Sequence, residues 1–104
     1  MIHPASTRRA IINFAGAGDN TVVAGIAGSP VRVYAFVFTV NGATNITFKD
    51  GANVLSGAFV LTGNGSNMVL PLSDEPVYET TLGNAFVINS TQAVQVSGTL
   101  WYTT

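Results

Sequence analysis

The chain has no cysteine, a single histidine and nine charged residues among 104. Without cysteine there is no disulfide framework and no thiolate metal site. The one histidine, His3, stands three residues from the start, where an isolated imidazole reads as a solvated group rather than a ligand or base. Charged residues make up 9% of the chain, against about 25% in an ordinary soluble domain. The net charge is −1 and the pI is near 5.5, so the chain lacks the basic footprint of a nucleic-acid binder. No apolar run reaches the roughly 18–20 residues of a membrane helix. No basic segment leads into an apolar one, so no signal peptide is expected.

Hydrophobic residues make up 47% of the chain, and its polar surface has to come from 12 Thr, 9 Asn and 7 Ser. Small uncharged polar side chains suit strand surfaces and turns. So little charge gives weak repulsion between copies, and the composition points to a protein whose surface is covered in an assembly. A chain of 104 residues forms one domain with a core of its own.

The stretch Val31 to Val40 is the most apolar. Pro30 precedes it and Asn41-Gly42 follows, a strand start and a tight-turn signal. Its β-branched and aromatic content favours a strand over a helix. Strict alternation puts Val31, Val33, Ala35, Val37 and Thr39 on one face and Arg32, Tyr34, Phe36, Phe38 and Val40 on the other. The bulky Tyr34/Phe36/Phe38 face is expected in the core. The smaller Val33/Ala35/Val37 face is left for close packing against a neighbouring subunit.

Short strands recur along the rest of the chain. Arg8–Ala15, Thr21–Ala24, Thr44–Lys49, Asn53–Leu55, Ala58–Thr62, Asn67–Leu70, Val77–Glu79, Ala85–Ser90 and Ala93–Tyr102 are separated by turn signals such as Gly16–Asn20, Asp50-Gly51 and Gly63–Ser66. Short turns favour antiparallel neighbours. About eight or more short strands with no helical period predict an all-β, antiparallel β-sandwich of jelly-roll-like type. Residues 1–7 read as an N-terminal arm and 8–104 as the single sandwich domain.

No constellation of residues specifies a chemistry. Asp74 and Glu75 are adjacent, so on a strand they would face opposite ways and make a poor acid/base pair. The glycine pairs at 16/18 and 63/65 carry no lysine and open no helix, which makes them turns rather than phosphate cradles. Asn45, Asn64 and Asn89 begin Asn-x-Ser/Thr triplets, a number near chance for this composition. No cofactor or metal is expected, and the chain does not read as an enzyme. Arg8 and Arg9 are the one cluster of positive charge, suited to an acidic partner. Trp101 is the apolar member of the otherwise polar face Gln95/Ser97/Thr99/Trp101 and is a candidate contact ring, which Tyr78 could join from an edge strand.

Several segments carry a resemblance. They are Val31-Arg32-Val33-Tyr34-Ala35, Ile46-Thr47-Phe48-Lys49 with Gly51, Leu61 with the Gly63–Ser66 turn, Thr81/Gly83/Ala85, and the final run from Ala93 to Tyr102. Over about residues 20 to 102 the chain resembles the small β-sandwich virion proteins of tailed bacteriophages, the head-decoration proteins among them. That resemblance implies a non-enzymatic structural protein of the virion, assembled in the host cytoplasm. It would bind the major capsid protein on the outside of the head as a decoration or cement protein, often as a homotrimer. The N-terminal arm with Arg8 and Arg9 is then the expected shell contact. The alternative is a carbohydrate-binding or host-adhesion module of a tail or fibre, with Trp101 and Tyr78 as its platform for a glycan.

Overall fold

A computed structural model describes residues 7–104. It is an all-β protein of ten strands: β1 (Arg8–Phe14), β2 (Gly18–Val23), β3 (Arg32–Val40), β4 (Thr44–Asp50), β5 (Asn53–Val54), β6 (Phe59–Leu61), β7 (Asn67–Leu70), β8 (Tyr78–Glu79), β9 (Phe86–Ser90) and β10 (Val96–Thr103). They form two antiparallel sheets packed as a sandwich. One runs β1-β10-β3-β7, with β8 pairing on β3 beyond β7; the other runs β2-β9-β4-β5, with β6 pairing on β4. Six of the arm's seven residues, Met1 to Ser6, lie outside the described residues.

Strands form where the alternation and turn signals place them, yet consecutive strands rarely pair. Asp50-Gly51 closes the hairpin of β4 and β5, in which Asp50 faces Asn53 and Gly51 adopts φ 57°, a conformation glycine takes without steric cost. Asn41-Gly42 instead carries the chain from one sheet to the other, as do the links β1–β2 and β9–β10. Apart from Asp50-Gly51, short turns therefore do not make antiparallel neighbours here. A strand with two apolar faces cannot bury both against its own hairpin partner, and crossing between sheets lets each strand turn one face to the common interior.

The interior lies between the sheets. Ile12, Val31, Val33, Phe36, Phe38, Val40, Val96 and Leu100 come from one side, and Val23, Ile46, Phe48, Leu61, Phe86 and Ile88 from the other. Phe48 is its centre: its ring lies 5.0 Å from Phe36, 5.1 Å from Tyr78 and 6.0 Å from Phe86, separations at which aromatic pairs add to area burial.

The expected faces of the central strand need correction. Val33 and Phe36 both enter the core, although an odd separation puts residues on opposite faces of a regular strand. On β10, Trp101 pairs with Ala35 and Tyr102 with Val33, so Tyr34 is an extra residue in β3. This bulge reverses the alternation. Val31 and Val33 join Phe36, Phe38 and Val40 inside, while Tyr34 is buried outside the core cluster. Of the small face expected to meet a neighbour, Val31 and Val33 are lost to the core and Ala35 is buried on the outer side, which leaves Val37 and Thr39 exposed.

Two local features hold the frame. Opposite Phe38 on β10, a Cβ on Gly98 would overlap the Val37 carbonyl oxygen and the Phe38 Cα, so only glycine fits there. At the end of β4, the buried Asp50 carboxylate accepts hydrogen bonds from the Thr81 amide (3.0 Å), the Thr81 hydroxyl (2.7 Å) and the Asn84 side-chain amide (2.9 Å). Neighbouring Thr80 accepts from the Val31 amide at 2.8 Å and donates to the Asn84 carbonyl at 3.1 Å. Together they tie the loop before β9 to the start of the central strand.

Candidate functional site

The outer face of the β1-β10-β3-β7 sheet is built of three rows that the strand register sets across it. Asn13, Ser97, Thr39 and Asn67 form a polar row. Next come Ile11, Thr99, Val37 and Val69. Arg9, Trp101 and Ala35 follow, and Pro71 and Leu72 extend this row past the end of β7. No layer of the described chain covers this face. Ile11 is 79% exposed, Val69 63%, Leu72 41% and Val37 39%. Large apolar side chains grouped this way mark an interaction surface, where scattered ones would mean nothing.

A groove of about 380 Å³ opens in the third row, walled by Trp101, Ala35, Val37, Val69, Pro71 and Leu72, with Thr7 at its rim. Its lining is mostly apolar. A sugar needs several hydrogen-bonding groups around a stacking ring, and the polar side-chain groups of the lining are the Thr7 hydroxyl and the Trp101 indole N–H. An apolar side chain from a partner suits it better.

The candidate residues fall in different places. Trp101 is half-buried on the outer face, where the alternation of β10 puts it. Tyr78 does not join it. Its partner Val33 points inward, and the Tyr78 ring packs between the sheets, 5.1 Å from Phe48 and 6.1 Å from Phe86. Burial pushes the Tyr78 phenol above its usual range, against an opposing hydrogen bond with Ser56. A glycan platform made of these two rings is therefore ruled out by geometry. Arg8 and Arg9 are both exposed, but as successive residues of β1 they point to opposite faces and do not act as one cluster; Arg9 alone borders the apolar patch.

The remaining charges sort in a way that spacing could not reveal. Lys49 holds Asp19 at 2.9 Å, and Arg32 holds Glu79 at 2.7 Å. The Asn89 side-chain amide also donates to Asp19 at 2.8 Å, and these hydrogen bonds, Lys49 first, keep the Asp19 carboxyl below its ordinary value. Burial pulls the Asp50 carboxyl upward, but the hydrogen bonds from Thr81 and Asn84 outweigh it and hold it low. Of the nine charged residues this leaves Arg8, Arg9, Asp74 and Glu75, which make no ion pair among the described residues. The two arginines are on β1 at one edge of the sheet. The two acids are in the loop that leaves β7 at the other edge.

Sequence reasoning missed Ile11, Val69 and Leu72 as surface residues, and could not place Asp74 and Glu75 at the opposite edge of the sheet from Arg9. Only the pairing of β1 and β7 into one sheet brings them together. Among the described residues no group of three or more His, Cys, Asp or Glu side chains could hold a metal ion, and no helix is long and apolar enough to cross a membrane. No protein-family model, curated protein or solved structure matches the chain.

Proposed function

We propose that this is a non-enzymatic structural protein of a phage virion, a decoration or cement protein that stabilises the head by bridging capsid subunits. The observation that carries this reading is the uncovered apolar outer face of the β1-β10-β3-β7 sheet, on a chain with only nine charges. Such a face is out of place on a solitary domain and at home in an assembly. The strand order lends support. Strands β1, β10, β3 and β7 lie over β2, β9, β4 and β5; the first strand pairs with the last, β2 with β9, β3 with β7 and β4 with β5 and β6, an order like that of the jelly rolls used by viral capsid and lectin domains. Fold alone does not select between those uses. The groove favours the capsid reading, because its mostly apolar lining suits a protein side chain better than a sugar, and Tyr78 is spent in the core.

Mechanically, each copy buries neutral surface against its neighbours and the major capsid protein, and the added contacts oppose the pressure of packaged DNA. Labelled antibody on intact particles tests this directly. The expected result is label over the heads, together with heads that lose DNA at a lower temperature when the protein is stripped away. Label confined to tails or fibres, or no association with particles, overturns the reading.

A further inference from the structure

We propose that the outer face of the β1-β10-β3-β7 sheet pairs with the same face of a second copy of this chain, about a two-fold axis parallel to the strands. The pairing names the occupant of the face on which the assembly reading rests.

The first support is the charge left over once the internal pairs are made. Arg9 borders the apolar rows at the β1 edge, and Asp74 and Glu75 lie in the loop that joins β7 to β8, the two strands paired on the far side of β3 in the same sheet. A two-fold axis along the strands, between β10 and β3, reverses the order of strands across the interface. It places β1 of one copy over β7 of the other. Each Arg9 then meets the acidic loop of its partner, and this happens twice per pair because the interface is isologous. Charge complementarity of this kind fixes orientation and register more than it adds affinity.

The second support is the match of the apolar rows under that operation. Ile11, Thr99, Val37 and Val69 cross the sheet in order. Reversing the order sets Ile11 against Val69 and Val37 against Thr99, so exposed apolar groups meet one another without a buried charge between them. In the third row the reversal sets Trp101 of one copy over Ala35 of the other, at the groove, and Arg9 over Pro71 and Leu72 beside the acidic loop. Two twisted sheets pack face to face in this manner at about 30°.

Size sets the strength. Four strands about 4.8 Å apart, each about seven residues long at about 3.3 Å per residue, give a footprint of roughly 400 Å² per copy. That is about half of what a standard stable interface buries on each partner. The pair is thus a concentration-dependent one, a two-fold dimer in place of the trimer that the resemblance implies.

The test is sedimentation velocity on the full chain from micromolar to millimolar concentration, with acrylamide quenching of Trp101, the one tryptophan, read on the same samples. The expected result is a mass that climbs from one chain to two, with Trp101 becoming less quenchable in step. Val37→Asp is expected to weaken association at least tenfold; if that variant fails to fold, Val69→Asp, on an exposed position of a strand at the sheet edge, takes its place. Arg9→Glu is expected to weaken it as well, and Arg9→Glu combined with Asp74→Arg and Glu75→Arg to restore it. A monomer at every concentration, a trimer, a dimer untouched by the Val37 or Val69 change, or a charge swap that restores nothing overturns the pairing. Each of those outcomes leaves the virion reading standing with the major capsid protein on this face, while particles without label overturn the virion reading and leave the pair.

Discussion

Val33 and Phe36 lie three residues apart on one strand and point into the same core. The extra residue between them, Tyr34, decides which side chains of the central strand meet the interior and which meet the outside. Removing Tyr34 leaves Val33, Ala35 and Phe36 in regular alternation, which keeps Val31, Val33, Phe36, Phe38 and Val40 together on the core face. The expected outcome of that deletion is a chain that still melts cooperatively by circular dichroism. Loss of the cooperative transition would show that the fold needs the bulge itself and not only the core set it produces.

Phe48 touches rings of both sheets. Phe48→Ala is expected to cost about 3–5 kcal/mol, more than half the stability of many small domains, and urea unfolding measures it. Phe59, 40% exposed, meets Phe48 edge to face, with ring centroids 5.8 Å apart. Phe59→Ala is expected to cost clearly less, since little of its surface leaves water.

Glycines separate by what surrounds them. Gly98→Ala drives a methyl group into the backbone of β3 and is expected to destabilise by about 3 kcal/mol or more, the upper end for overpacking. Gly57 has open space around it and no left-handed φ. There the same substitution is expected to be neutral or to stabilise by up to about 1 kcal/mol, through the entropy of the unfolded chain. Paired thermal melts of the two variants check the contrast.

Acid should loosen the loop before β9. The Asp50 carboxyl is held below its ordinary value of 3.8 by Thr81 and Asn84, and a carboxyl lowered on folding contributes stability that is complete above its unfolded value and is lost as pH falls through the folded one. Stability is thus expected to be flat above about pH 5 and to fall below about pH 4. Asp19, lowered by Lys49 and Asn89, adds to the same limb. Asp50→Asn is expected to reduce stability at neutral pH by about 1–3 kcal/mol, because an amide cannot accept every hydrogen bond the carboxylate accepts, and to flatten the acid limb. Urea midpoints from pH 2 to 8 would read both effects.

Much of the chain is legible without its fold. Alternation and β-branched content mark out Thr44–Asp50 and Asn67–Leu70 almost to the residue, because period-two patterning and turn chemistry are local properties. The outward position of Trp101 follows from the alternation of β10 for the same reason. Absent cysteine likewise excludes thiol chemistry before any strand is placed.

What the sequence could not determine is everything that depends on a partner strand. The bulge at Tyr34 exists only against Trp101 and Tyr102 of β10, some 67 residues away in the chain. Tyr78 is drawn from a candidate surface to the core by its pairing with Val33. Arg9 and the Asp74–Glu75 pair come to opposite edges of one sheet only because β1 and β7 close on β10 and β3. Strand identity is written in neighbouring residues, whereas strand pairing and register are set by the burial of distant ones, so the tertiary structure alone decides which apolar residues remain outside.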